Sequence, residues 1–230
     1  MRSLAIIPAR GGSKRIPRKN IKDFLGKPII TYSIEAAVKS GLFEEVMVST
    51  DDEEIAKVAL ECGAKVPFRR SVEASDDLAT TAQVLEEVLE KYAAQGKHFD
   101  TACCLYPTAP FVTAEMLIQS HSKLLEGNYD TVFPVLRFSY PIWRSLKVED
   151  GRAVMNWPEH LQSRSQDLPA AFHDAGQFYW LRVDRFLEDR KLFTANSGVV
   201  EVSELQAQDI DSETDWKLAE LKYKLLHNLA

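Results

Sequence analysis

The chain has 230 residues, 45% of them apolar, and a formal net charge of −6 at pH 7. That length can bury a real core in one α/β domain, and the ordinary apolar content argues against disorder. The acidic balance disfavours nucleic acid as a partner. The longest apolar runs, residues 4–7 and 101–105, have strand lengths and fall far short of the roughly 20 residues that cross a bilayer. The apolar stretch before Pro8 is too short for a secretory signal, so a cytoplasmic protein without a membrane partner is expected. Cys103 and Cys104 are adjacent in a strand-like run and should point to opposite faces; with Cys62 they read as buried small hydrophobes.

In chain order, residues 4–9 read as a buried strand and residues 26–28 open an apolar-periodic helix to about residue 39. A second strand is expected over 45–50, then a helix over 52–61 with Ile55, Ala56 and Ala59 on one face. A short third strand over 65–68 precedes a helix over 80–94, where Val84, Leu85, Val88, Leu89 and Tyr92 recur at helical spacing. A strand over 102–106, a helix over 114–126 and a strand over 131–136 follow. This alternation predicts an α/β fold with a doubly wound, mainly parallel sheet.

From Ser139 the pattern changes. Residues 144–148 and 153–157 read as a β-hairpin around an Asp150-Gly151 turn, followed by a polar stretch to Asp174. Strands over 178–183 and 198–202 and a closing helix over 212–229 complete the chain, with Leu218, Leu221 and Leu225 expected to face inward. The excursion over about 139–174 is too short for a separate domain and carries Trp143, Trp157 and Phe172. It reads as an arm on a single domain spanning 1–230, suited to contacting a partner subunit or covering a site.

The first strand runs directly into Arg10-Gly11-Gly12-Ser13-Lys14-Arg15-Ile16-Pro17-Arg18-Lys19-Asn20, with five cations between Arg10 and Lys19. Ligands bind at the carboxyl ends of strands in open α/β sheets. Glycines let the backbone approach a ligand and aim N–H groups at an anion, and the cations add charge-assisted hydrogen bonds to phosphate oxygens. The pattern is neither a Walker A loop nor a dinucleotide fingerprint.

That string resembles the opening signature of the CMP-sialic acid synthetases, the acylneuraminate cytidylyltransferases. The likeness continues through Val48-Ser49-Thr50-Asp51, from Arg70 to Thr81, through Pro107-Thr108-Ala109-Pro110 and into Asp209-Ile210-Asp211, nearly the whole chain. The resemblance implies a Rossmann-like fold of the nucleotide-diphospho-sugar transferase type, CTP as donor, a nine-carbon sugar acid as acceptor, Mg2+ as cofactor, and a homodimer with the arm as its dimerisation hairpin. Carried over residue by residue, Arg10 and Lys19 hold the triphosphate with Ala9, Gly11, Gly12, Ser13 and Lys14. Asn20, Arg70, Thr80 and Thr81 lie toward the cytosine and ribose.

Asp209 and Asp211 flank Ile210 just before the closing helix. Carboxylates two apart on extended backbone point the same way and suit Mg2+, although Asp211 or Ser212 could equally serve as a helix N-cap. The resemblance makes Asp209 and Asp211 the metal ligands, and Arg10, Lys19 and Asp211 the catalytic set. The expected reaction is in-line attack of the sugar's anomeric hydroxyl on the α-phosphate of CTP, with Asp209, Asp211 and a metal-held hydroxide as alternative proton acceptors.

Arg164, Gln166, His173, Asp174, Gln177 and Tyr179 make a polar rim suited to a hydroxyl-rich, amide-bearing ligand, and the resemblance adds Tyr106 on the sugar side. No Ser or Cys motif accompanies His173, which disfavours hydrolase chemistry. Tyr106, Ala175 and Trp143 stand where sialic acid enzymes commonly carry Gln, Asn and Lys. The string from His173 to Trp180 resembles instead the pseudaminic acid cytidylyltransferases, so pseudaminic acid is the expected acceptor, with neuraminic, legionaminic and 3-deoxy-octulosonic acids as alternatives. A non-catalytic nucleotide binder would show loss of Arg10, Lys19, Asp209 or Asp211; all four are present.

Overall fold

Short runs of apolar residues without a polar face can be satisfied only by burial on both sides, and they form the centre of the molecule. A computed structural model describes residues 1–76 and 78–229. Strand β1 (Ser3–Pro8) leads through a small hairpin, β2 (Asp23–Phe24) and β3 (Lys27–Pro28), into helix α1 (Ile29–Ser40). Next come β4 (Glu45–Ser49), α2 (Glu53–Glu61), a single turn α3 (Val72–Ser75) and α4 (Thr81–Ala94). Strand β5 (Thr101–Leu105), α5 (Ala114–Glu126) and β6 (Thr131–Arg137) complete the alternating part. The remainder holds β7 (Leu146–Glu149), β8 (Arg152–Met155), β9 (Phe172–Asp174), β10 (Phe178–Arg182), α6 (Val183–Asp189), β11 (Ser197–Val202) and α7 (Glu213–His227).

The central sheet has the order β4-β1-β5-β10-β6-β11, with β9 paired to the far end of β6. β1 runs parallel to β4 and β5, and β11 parallel to β6, whereas β10 is antiparallel to both neighbours. The doubly wound α/β expectation therefore holds, with two reversed strands, β9 and β10, that alternation could not reveal. The chain moves from β1 to β4 on one side and returns to β5 on the other. The carboxyl ends of β1 and β5 thus border the crevice where ligands bind in such sheets.

Cores fill both faces. Cys103 and Phe178 pack with Ile30, Ile34 and Leu117 under α1 and α5, while Cys104 and Tyr179 pack with Leu85, Leu89 and Phe186 under α4 and α6. A third cluster joins Ile16, Phe24, Tyr32, Phe111, Ile210 and Trp216. Tyr32 anchors it by donating its hydroxyl to the Phe24 carbonyl at 2.7 Å. Among the described residues no helix is long and apolar enough to cross a membrane.

Two expectations are corrected. Residues 65–68 make only the single bridge Met47↔Lys65, because Pro67 has no N–H to extend the ladder. In α7 the inward face is Trp216 and Ala219, with Tyr223 and Leu226 packed beside them. Leu218, Leu221 and Leu225 are instead 42%, 65% and 64% exposed. The large rings complete the aromatic cluster, and that rotates the leucine stripe outward.

The arm departs after β6. Its β7–β8 hairpin is a separate two-stranded sheet, turned by Asp150 and Gly151 at φ 49 and 75. Both central residues at positive φ define the tight hairpin turn that an Asp-Gly pair favours. Trp143 and Trp157 meet edge to face at 5.5 Å, and the Trp143 indole donates to the Pro169 carbonyl at 2.8 Å.

Candidate active site

The basic loop leaves β1 at Pro8 and is fastened before it can bind anything. The Gly11 amide donates to Asp51 Oδ1 at 3.0 Å, and a Cβ at Gly11 would lie 2.7 Å from Asp52 Oδ2, so only glycine fits. Gly12 has open space around it. The expectation that both glycine amides aim at an anion is thus corrected: Gly11 N–H already serves Asp51. Asp52 caps α2, accepting from the amides of Glu54 and Ile55, each at 3.0 Å. The same carboxylate receives the guanidinium of Arg18, which also reaches Glu54. Arg18 is a structural clamp, and the ion pair, aided by the helix amides against partial burial, pulls the Asp52 pKa down to about 2.

The other four loop cations face one cleft of about 500 Å³ at the carboxyl ends of β1 and β5. Arg10 reaches the Asp76 carbonyl at 3.3 Å, and Asn20 holds the Arg10 carbonyl at 2.9 Å. Ser13, Lys14 and Asn20 line the same space; Ala9 is fully buried beneath it, its amide tied to Ser49. Arg70 forms the opposite wall, almost fully buried, donating from Nε to Ser49 Oγ at 3.0 Å and from an NH2 group to the Ser49 carbonyl at 2.6 Å. Burial lowers its pKa. Thr81 lines the cleft, whereas Thr80 caps α4 through a reciprocal pair with Gln83.

Opposite the loop, Ile210 is buried in the aromatic cluster and turns the backbone around it outward. Lys19 Nζ donates to the Ile210 carbonyl at 2.7 Å and lies 3.8 Å from Asp211, while Arg15 pairs with Asp211 at 2.9 Å. Burial lowers the Lys19 pKa, opposed by Asp211 and Asp209. Ser212 and Asp215 cap α7, with Asp215 also accepting from the Asp211 amide at 3.1 Å. The carboxylates of Asp209 and Asp211 are therefore not the helix cap. Asp211 faces the cleft, while Asp209 borders an adjoining depression with His173 and Lys222. Desolvation, then the charge of Asp211, raises the Asp209 pKa. Among the described residues no cluster of three His, Cys, Asp or Glu could hold a metal alone. Two carboxylates beside a cationic cleft do fit a cation that completes its shell with phosphate oxygens and water.

The expected sugar side is divided by the strands. Asp174 accepts the Tyr179 hydroxyl on one oxygen and the Gly176 amide at 3.0 Å on the other. Tyr179 packs edge to face on Tyr106 at 5.6 Å, and the Tyr106 hydroxyl meets Thr81 Oγ1 at 3.3 Å. His173 alternates to the other face of β9 and packs on Phe138 at 4.9 Å. Gln177, expected to meet the sugar, is buried and donates to the Gln206 carbonyl at 2.6 Å. Arg164 and Gln166 sit exposed on the arm and do not line the cleft within one chain.

The family model described as Cytidylyltransferase matches residues 4–213. The chain belongs to the cytidylyltransferase family. It is 45% identical to a pseudaminic acid cytidylyltransferase of Campylobacter jejuni, over 100% of both chains. It is 36% identical to the N-acylneuraminate cytidylyltransferase A of Danio rerio, covering 94% of this chain and 49% of that one. Among solved structures, a CMP:2-keto-3-deoxy-manno-octonic acid synthetase complexed with CTP superposes with a TM-score of 0.72 over 100% of both chains, at 19% identity, a likeness of fold.

Sequence reasoning about this cytidylyltransferase missed the acceptors that fix its loop. Asp52, expected inside the helix over 52–61, is its N-cap and meets Arg18, which sits at φ 56. Ser49, which holds Arg70, carries no local signal at all. Asp52→Asn keeps the cap and removes the charge. The depressed pKa means that Asp52 contributes fully above about pH 4 and loses its contribution as pH falls toward about 2. The variant should lose about 1–2 kcal/mol at neutral pH, after allowing for screening at the half-exposed Arg18. Urea unfolding at pH 7 and at pH 2.5 should show the gap from wild type narrowing at the lower pH.

Proposed function

We propose that this cytidylyltransferase transfers CMP from CTP to pseudaminic acid and releases pyrophosphate. The observation that carries the sugar is the 45% identity, over both full lengths, to a relative described by that activity. The cleft supplies what the reaction needs. Arg10, Lys14, Arg15 and Lys19 meet the triphosphate, and Arg70, Asn20 and Thr81 border the nucleoside end. The anomeric hydroxyl of the sugar acid attacks the α-phosphorus and gives its proton to a neighbouring carboxylate, Asp209 or Asp211, as the new P–O bond forms and the bond to the β-phosphate oxygen breaks in line. Negative charge grows on the departing pyrophosphate, where preplaced cations lower the barrier most.

Asp209 and Asp211 would hold Mg2+, which when bound neutralises phosphate charge. Asp209→Asn and Asp211→Asn should each raise the Mg2+ concentration for half-maximal pyrophosphate release by about tenfold or more. An unchanged titration in both would leave the pair without a metal role. A CTP-consuming step also fits a cytoplasmic location.

The sugar assignment is tested by kcat/KM for pseudaminic acid and N-acetylneuraminic acid with one enzyme preparation. A site arranged for one set of hydroxyl and acetamido groups leaves polar groups unpaired with another, at roughly 1–3 kcal/mol each. Pseudaminic acid should be preferred by at least about tenfold. Parity would remove the sugar assignment and leave nucleotidyl transfer standing.

The arm supports a homodimer. An isolated two-stranded hairpin is marginal by itself. Here Leu146 and Val148 share one face at 59% and 75% exposure, and the leucine stripe of α7 is equally uncovered. A second copy would cover this surface and bring Arg164 and Gln166 toward the neighbouring cleft. Light scattering should give twice the chain mass, and Leu146→Asp with Val148→Asp should return the monomer.

A further inference from the structure

The chemistry of the acceptor limits where its acid group can sit. In the ring form of a 2-keto sugar acid, the carboxylate is bonded to the carbon that carries the attacking anomeric hydroxyl. Its seat must therefore adjoin the reacting phosphorus beside Asp209 and Asp211, outside the ground taken by the triphosphate. Asp211 opens onto the nucleotide cleft, whereas Asp209 borders a separate depression of about 410 Å³. Two carboxylates two residues apart thus mark the boundary between the cavities.

That depression holds two cations, Lys222 and Arg137, and the imidazole of His173. Lys222 projects half-buried from α7, and its Nζ donates to the Ala207 carbonyl at 3.0 Å. An ammonium has three hydrogens, so this bond fixes the head group and leaves two for a ligand. Among the described residues neither Lys222 nor Arg137 has a carboxylate within ion-pair distance. Glu204, exposed at the edge of the depression, acts on Lys222 only at longer range. His173 Nδ1 faces the Asp174 carbonyl at 2.9 Å. A carbonyl only accepts, so Nδ1 carries the hydrogen and the neutral ring presents a lone pair at Nε2. His173 can accept from a hydroxyl or an amide of a ligand, but in that form it has no hydrogen for a carboxylate.

The depression also has somewhere to lead. Arg137, Phe138 and Ser139 belong equally to a hollow of about 460 Å³ under the arm, which Pro141, Gln166 and Leu168 line. A molecule held by its acid group at Lys222 has room there for the rest of a nine-carbon chain.

We propose that this depression seats the carboxylate of the sugar acid, with Lys222 as its principal donor and Arg137 as a second donor on the outer wall. The inference rests on reading the chain as the cytidylyltransferase of a 2-keto sugar acid, and it gives α7 a part in binding the acceptor.

The test compares kcat/KM for pseudaminic acid with that for its methyl ester, which keeps the anomeric hydroxyl and loses the charge. Wild type, Lys222→Met, Lys222→Arg and Arg137→Met are assayed at saturating CTP and Mg2+, after circular dichroism confirms folding. Wild type should favour the acid by at least about tenfold, because a charged group held by charged donors is the stronger contact. The acid-to-ester ratio should fall about tenfold in Lys222→Met and by less in Arg137→Met, whose exposed charge is screened by water. Lys222→Arg, which keeps the charge, should recover most of the lost ratio, and KM for CTP should stay within about threefold of wild type throughout. A ratio in Lys222→Met equal to that of wild type overturns the proposal, even if both rates fall together, since that pattern marks a structural role. So does a wild type that uses acid and ester equally. If another sugar acid proves to be the acceptor, the pseudaminic assignment fails, and the same ratio read with that acid and its ester still decides the seat.

Discussion

Burial of Ile16 and Ile210 in one aromatic cluster is the constraint on which the site depends. Both side chains are removed from water among Phe24, Tyr32, Phe111 and Trp216. Full burial of an isoleucine is worth roughly 1.5–3 kcal/mol, so two such anchors offset a substantial part of the conformational freedom lost by the short segments that carry them. The flanking residues have no freedom to face inward as well. Arg15 and Lys19 emerge on one side of the cleft and Asp211 on the other, and Lys19 bridges 191 residues of sequence to the Ile210 carbonyl. A hydrophobic contact thus sets the distance between opposite charges.

Around that anchor the cations brace the walls as well as lining the cleft. Arg18 holds the cap of α2 and Arg70 holds Ser49. Arg10, Lys14, Arg15, Lys19 and Arg70 line the space between the walls, with Arg15 paired to Asp211 and Lys19 to the Ile210 carbonyl. A chain that is acidic overall can therefore attract a polyanion at one place, because local potential in a cleft is governed by nearby groups rather than by net charge. Burial lowers the Lys19 pKa, partly offset by Asp211 and Asp209.

The reversed strand β10 organises the region expected to form the sugar side. It inserts between β5 and β6, sending Phe178 and Trp180 into one core and Tyr179 into the other. β9 continues along β6 beyond it, and Gly176, at φ 63, makes the turn between them. That turn delivers its amide to Asp174 and sets the carboxylate against the Tyr179 hydroxyl. Alternation along β9 separates His173 from Asp174, so neighbours in sequence serve opposite faces of the sheet.

Local periodicity determined the helices α2, α4 and α5, the central strands and the Asp150-Gly151 hairpin, because each depends on contacts within a few residues. The basic loop after β1 and the carboxylates around Ile210 were likewise visible, since clustered charge beside an apolar strand end is a local feature. Tertiary structure alone decided which charges are available. It turned Gly11 toward Asp51, gave Arg18 to Asp52, buried Gln177 against Gln206 and left Arg164 and Gln166 on the arm. It also rotated α7 so that Trp216 rather than Leu218 faces the core. The physical reason is common to all of these. A polar group's partner, or a helix's buried face, is chosen by whatever the rest of the fold brings within about 3–4 Å, and nothing in the residue's own neighbourhood encodes it.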